Sequence, residues 1–178
     1  LTPDDGAVLF LRSAARDPKQ ALYETDLVTG VTRELLSPEK LLGAEGEKLS
    51  SEEKARRERL RITASGFTSF ELSEDGKQIL LPLSGRVFVV DRDGVLVGIL
   101  RLKDLLTHDP DRPVAEVMLR EPLTFSTHDP ASDAVGVFER YDLVSAPVVD
   151  YHRKLVGRVT VATVVDFIRE ETENELLN

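Results

Sequence analysis

Cysteine is absent from the 178 residues, which excludes a disulfide framework, a thiolate metal site and a thiol nucleophile. The chain has no apolar run of the roughly 18 residues that a membrane helix needs, and its start at Leu1 shows no signal-peptide pattern. Gly-x-Ser-x-Gly is missing too, so there is no nucleophile elbow of the serine-hydrolase kind. The three histidines, His108, His128 and His152, stand beside Asp, Pro or Arg in turn-like contexts, with no spaced Ser and Asp to complete a triad. These absences predict a soluble, cytosolic and non-catalytic chain.

Basic charge is scarce in the second half. Residues 1–92 carry 14 basic and 16 acidic side chains, whereas residues 93–178 carry 9 and 16, so most of the net charge of −9 lies after residue 92. Such a surface repels a phosphate backbone, which excludes nucleic acid as a partner of that half. It suits a divalent cation or a basic partner, and equally the plain task of keeping a small domain soluble.

What the chain does have is a repeat. Val89-Val90-Asp91 followed by Leu96-Val97-Gly98-Ile99-Leu100 returns 59 residues later as Val148-Val149-Asp150 followed by Leu155-Val156-Gly157-Arg158-Val159. Each copy reads as strand, turn and strand running into a helix, over 102–107 and 162–176. One such unit cannot bury its apolar face alone, so the copies are expected to pack on each other. Ahead of the second copy, 122–126 reads as a strand. His128-Asp129-Pro130-Ala131 opens a helix with Ala134, Val135, Val137 and Phe138 at helical spacing.

Upstream the punctuation changes. Asp4-Asp5-Gly6 precedes the apolar run 7–11, and Ser73-Glu74-Asp75-Gly76 precedes 78–81, while Val28-Thr29-Gly30 joins 21–27 to 31–36. Glycine accepts positive φ in such turns, which predicts a meander of short antiparallel strands. Between the runs, Ser50 and Glu53 form a capping-box pair at the head of a charged helix expected over 50–61. Its basic residues Lys54, Arg56, Arg57, Arg59 and Arg61 are balanced by Glu52, Glu53 and Glu58, the pattern of a solvated face.

Two families are resembled. The Ser73–Lys77 turn, the run Leu22-Tyr23-Glu24-Thr25-Asp26-Leu27 and the segment 52–59 make residues 1 to about 92 similar to the N-terminal β-propeller region of bacterial dipeptidyl-peptidase IV, of the prolyl oligopeptidase family. Pro147-Val148-Val149-Asp150, Leu155-Val156-Gly157-Arg158-Val159-Thr160 and Phe138-Glu139-Arg140-Tyr141-Asp142-Leu143 resemble the CBS domains in the cytosolic region of MgtE-type magnesium transporters. The expected architecture is therefore α/β (α+β): a propeller-like fragment over 1–86, a partial CBS unit over 87–119 without its first strand and helix, and a complete strand-helix-strand-strand-helix CBS unit over 120–178.

The CBS resemblance implies a cleft for ATP or another adenine nucleotide. The base would lie near Ala146 and Pro147, and the ribose on an Asp three residues after a Ser or Thr, since a carboxylate accepts both vicinal hydroxyls. Each copy holds half of that pair: Thr160 with Thr163 at the Asp position, and Asp104 with Arg101 at the hydroxyl position. Asp104 equally suits the positive end of a helix, and Arg101 a phosphate or plain solvent. The resemblance also implies a Mg²⁺ response through acidic residues of the last helix, where Asp166, Glu170 and Glu173 fall at i, i+4 and i+7.

The expected function is a regulatory module for a nucleotide or ion, homodimeric through its CBS units. It would lie on the cytosolic side of a membrane that it meets only through an attached transporter domain. The alternatives are a substrate-gating propeller fragment of a serine peptidase, and an artificial fusion with no evolved activity.

Overall fold

The computed structural model describes residues 1–42, 54–55, 58–59 and 65–176. Short-range turns set the first sheet. The buried Thr2 hydroxyl accepts from the Ala7 amide at 3.0 Å, and Asp5 turns the chain with φ +53° into β1 (Ala7–Ser13). β1 pairs antiparallel with β2 (Lys19–Asp26), and β2 with β3 (Thr32–Leu36), so the expected meander forms. Its second turn is held by Asp26 Oδ1, which accepts the Val28 and Thr29 amides at 2.9 and 2.7 Å before Gly30 takes φ +71°. A short helix, α1 (Pro38–Leu42), follows, and β4 (Ser65–Gly66) pairs parallel with the start of β2.

Of the charged helix expected over 50–61, residues 54–55 and 58–59 are helical, and Arg59 Nε donates to the Ala55 carbonyl at 3.3 Å. The capping pair Ser50 and Glu53, like Arg56, Arg57 and Arg61, lies outside the described residues.

The second sheet runs in the order β5 (Glu71–Leu72), β6 (Gln78–Leu83), β7 (Arg86–Asp91), β8 (Leu96–Arg101), all antiparallel. Ser84 and Gly85, with φ +50° and +76°, make the two-residue turn between β6 and β7, where both positions need positive φ. After β8 come α2 (Leu102–Thr107) and α3 (Val114–Val117). The third sheet holds β9 (Phe125–Ser126), β10 (Ser145–Val149) and β11 (Leu155–Thr160), with α4 (Ala131–Tyr141) crossing from β9 to the parallel β10, and α5 (Val161–Leu176) after β11.

The upstream strands β5–β8 form one sheet continuous with the first repeat copy, and among the described residues no sheet closes on itself. The strand expected over 122–126 shortens to Phe125–Ser126, since Pro122 brings no N–H to a ladder.

The repeat is structural as well as sequential. Val89 pairs with Gly98 and Val90 with Leu96 across a bulge; 59 residues on, Val148 pairs with Gly157 and Val149 with Leu155 across the same bulge. Asp91 Oδ1 accepts the Asp93 and Val95 amides, both at 2.8 Å, and Asp150 Oδ1 the His152 and Lys154 amides at 2.8 and 2.9 Å. The equivalent residues Val95 and Lys154 form an antiparallel bridge to each other, which places a local two-fold axis between them. Only the outer neighbour of the middle strand differs. In the second copy β9 lies parallel to β10 because a helix intervenes, whereas in the first copy β6 lies antiparallel to β7 because a two-residue turn does.

One core joins the upstream sheet to both copies. Leu9, Leu22, Leu36, Leu41 and Phe67 pack with Ile79, Leu81, Phe88 and Leu96, and with Val149 and Leu155 of the second copy. The upstream segment is thus seated on the repeat rather than beside it. A smaller core fills the second copy, where Phe125 stacks on Phe138 at 5.8 Å between centroids and Ala146 and Val164 close around them. A buried carboxylate fastens the seam: Glu24 of β2 accepts Arg33 Nε at 2.9 Å and Arg92 Nε at 2.9 Å, and Arg92 belongs to the β7–β8 turn.

Candidate ligand clefts

The strand register brings Arg86 opposite Arg101 at the open end of β7 and β8, and the equivalent pair of the second copy is Ser145 opposite Thr160. Arg158 of β11 lies close enough to add to the field at Arg86. Burial, then Arg158, then Arg101 push the Arg86 guanidinium below its ordinary value. Arg86 and Arg158 border a cleft of about 280 Å³ that crosses between the copies and is lined by Ser84 and Arg86 from one, and by Ser145, Arg158 and Thr160 from the other. Arg86 has no ion-pair partner among the described residues. Like charges held together in a half-buried cleft destabilise one another, and an anion removes that cost.

At the start of α2, Arg101 grips Asp104 with Nε to Oδ2 at 2.8 Å and Nη2 to Oδ1 at 3.2 Å. That hydrogen bond, more than any other cause, holds the Asp104 carboxyl below the usual range. At the start of α5 the same two positions are Thr160 and Thr163, whose hydroxyls are 3.0 Å apart, and the Thr163 amide donates to Thr160 Oγ1 at 3.3 Å as at a helix N-cap. Both pairs therefore organise a helix start.

The six residues expected to bind a cofactor do not share one site. Thr160 borders the arginine cleft, Thr163 borders a second cleft, and Arg101 and Asp104 hold each other. Ala146 and Pro147 are buried in β10, Ala146 within the small core. Sequence reading missed Ser84, Arg86 and Arg158. Setting the copies against each other at the offset of 59 would have found Arg86, which falls on Ser145 beside the Ala-Pro strand.

The second cleft, about 390 Å³, opens between the β9–β11 sheet and helices α4 and α5. Its walls are apolar, and Asp166 and Glu170 of α5 line it together with Asp129. Among the described residues no three His, Asp or Glu side chains converge to hold a metal ion. Asp166 leans to Arg169 at 3.9 Å, and Glu173 lies outside the lining. Asp166 and Glu170 on one helix face, with Asp129 elsewhere on the wall, do not converge into the oxygen cage that Mg²⁺ takes, so the expected acidic trio does not fit that ion.

No helix among the described residues is long and apolar enough to cross a membrane. Comparison with known proteins finds the magnesium transporter MgtE of Enterococcus faecalis 33% identical over 89 residues, half of this chain and 20% of the transporter. Inosine-5′-monophosphate dehydrogenase of Mycobacterium tuberculosis is 41% identical over 85 residues, 47% of this chain and 16% of the enzyme. Among solved structures, the cytosolic domain of the Mg²⁺ channel MgtE in complex with ATP is 30% identical, covering 75% of this chain and 46% of that one at a TM-score of 0.46. This chain thus spans about a fifth of the length of the curated relatives it matches. The CBS domain family matches residues 78–111, from the start of β6, and 114–170. With just over half of its residues in those two matches, the chain belongs to the CBS domain family.

Proposed function

We propose that this chain is a non-catalytic regulatory module that binds an adenine nucleotide in the cleft between its two copies, with residues 78–119 and 120–178 acting as the paired units and the upstream sheet as their brace. The observation that carries this reading is the convergence of Arg86 and Arg158 on a cleft that Ser84, Ser145 and Thr160 also line, with Arg101 opposite Arg86 across the strand pair. Guanidinium groups recognise phosphate oxygens in a fork, and neighbouring hydroxyls donate to the same oxygens.

Asp104 is engaged by Arg101, so ribose recognition in the first copy requires Arg101 to swing from the carboxylate to a phosphate. That exchange is a switch: ligand frees Asp104, and the start of α2 responds. The coupling to any attached domain is limited to the difference in ligand affinity between the two arrangements. In keeping with the relatives, the module would lie on the cytosolic face of a transporter and pair with a second copy through α4 and α5, where Tyr141, Val165 and Ile168 are exposed.

Thermal melting of the full chain against ATP, inorganic triphosphate and adenosine tests this. Ligand at a hundred times its dissociation constant should add about 2.7 kcal/mol, a rise of several degrees. ATP should give the largest saturable rise, and Arg86→Ser, which installs the residue of the second copy, should reduce it. A transition indifferent to ATP would sink the reading.

A further inference from the structure

The acidic face of α5 is one wall of an apolar cleft, and that changes what it can hold. Asp166 and Glu170 stand one turn apart on α5, and Asp129 faces the same space from the start of α4, its Oδ2 accepting the Ser126 amide at 2.6 Å. Behind them the surface is hydrocarbon, with Phe125, Val159 and Phe167 among its walls. No Lys, Arg or His lines this cleft, and Glu170 makes no ion pair among the described residues.

We propose that this cleft binds a small organic cation, an ammonium group carried on an aromatic or aliphatic body. The cleft, near 390 Å³, falls in the size range of small-molecule sites, about 300–1,000 Å³. The ammonium sits beside Asp166 and Glu170, where it relieves the repulsion between them at i and i+4, and Asp129 adds negative charge from elsewhere on the wall. The apolar body covers Phe125, Val159 and Phe167, and aromatic faces add attraction for the cation itself. A hydrated Mg²⁺ gains nothing from these walls, because stripping its waters against hydrocarbon is costly and no three carboxylates converge to replace them among the described residues. An anion meets three negative side chains. The cleft is distinct from the arginine cleft, so this inference stands apart from nucleotide binding.

The test is a titration of the full chain, followed by amide chemical shifts, with 2-phenylethylamine as the cation, 2-phenylethanol and phenylacetate as neutral and anionic bodies of the same size, and MgCl₂ as the fourth arm. The amine should bind saturably with shifts centred on 125–134 and 163–170, and the alcohol about tenfold more weakly or worse. Phenylacetate should not bind. The double variant D166N/E170Q, changed only at exposed positions, should lower amine affinity about tenfold while leaving the alcohol unchanged. Ala131→Phe, which fills the mouth from an exposed position of α4, should block both. The proposal is overturned if amine and alcohol bind alike, if the double variant keeps full amine affinity, if Mg²⁺ displaces the amine competitively, or if none of the probes binds.

Discussion

Gly94 and Arg153 hold the same place in the two copies and meet across the local two-fold axis: the Gly94 carbonyl accepts the Leu155 amide at 3.0 Å, and the Arg153 carbonyl accepts the Leu96 amide at 3.1 Å. Both residues have positive φ, +80° at Gly94 and +62° at Arg153. The hydrogen bonds that join the copies therefore depend on a left-handed turn in each, and only one copy meets that demand with glycine.

Arg153→Gly should therefore stabilise the chain. A side chain in the left-handed region costs roughly 1–2 kcal/mol, and the greater freedom of glycine in the unfolded chain returns about 0.4–1 kcal/mol of that. The net gain is about 0.5–1 kcal/mol, read as a higher urea midpoint at unchanged slope. Gly94→Ala should lose about 1 kcal/mol, through φ alone, since the added Cβ would lie 3.5 Å from the Leu35 carbonyl, an ordinary contact. Equal midpoints for Arg153→Gly and the parent would show that the turn is not strained.

Gly98 and Gly157 are a second equivalent pair with opposite expectations. A Cβ on Gly98 would stand 2.7 Å from Met118 Sδ and 3.0 Å from the Leu119 carbonyl, because residues 118–119 lie directly on β8. On Gly157 it would meet the Lys40 carbonyl of α1 at 3.7 Å. Gly98→Ala should thus cost about 1–3 kcal/mol by overpacking, whereas Gly157→Ala should stay within about 0.5 kcal/mol of the parent. Denaturation midpoints of the two variants decide it, and a smaller loss at Gly98 than at Gly157 would contradict the close approach of residues 118–119.

The repeat was legible because each copy carries its own local instructions: an Asp that accepts two amides of its turn, a short apolar strand on either side, and a glycine at the same offset. The upstream meander was legible for a similar reason, through Asp-Gly turns. What could not be read was which strand lies beside which. Pairing of β6 with β7 rests on two residues, Ser84 and Gly85, and it places a hairpin where the other copy has a strand and a helix. Site residues were read from a family pattern in each copy taken singly, which found Arg101, Asp104, Thr160 and Thr163. The arginine cleft is made between copies, so Arg86 and Arg158 become neighbours only when the chain folds. Asp166 and Glu170 of the acidic trio on α5 line one cleft, but periodicity says nothing of the hydrocarbon opposite.

Glu24 is buried, at 5% exposure, between Arg33 and Arg92, whereas Arg33 is half exposed. Removing Arg92 leaves the carboxylate with one partner and cuts the tie between β2 and the β7–β8 turn. Arg92→Ala should cost about 1.5–3 kcal/mol, the range for hydrogen bonds to charged groups. Glu24→Gln should cost less than Glu24→Ala, since the amide oxygen still accepts. A shared core predicts that far-ultraviolet dichroism and tyrosine fluorescence report one coincident transition in a Tyr141→Phe/Tyr151→Phe chain, where Tyr23 is the one remaining fluorophore of that kind. Two separated transitions would show that the upstream sheet is not braced on the repeat.

Acid should unfold the chain through its turns. Four carboxyls are held below the ordinary range by local hydrogen bonds, chiefly from the Thr2 hydroxyl at Asp4, the Thr29 amide at Asp26, the Ser73 hydroxyl at Asp75 and the Arg101 guanidinium at Asp104. A carboxyl whose folded pKa is depressed binds protons more readily in the unfolded chain. Its stabilisation is therefore complete above the ordinary value of about 4 and is lost as the pH falls through and below it. Asp4, Asp26 and Asp75 are exposed and Asp104 is partly exposed, so each effect is small and screened by salt. Melting temperature measured from about pH 6 down to about pH 2 should fall on the acid side, more steeply at low ionic strength. Asp75→Asn and Asp104→Asn should each flatten that limb, because the amide has no proton to take up. Variant curves parallel to the parent through the whole acid range would mean that other carboxylates control the acid transition.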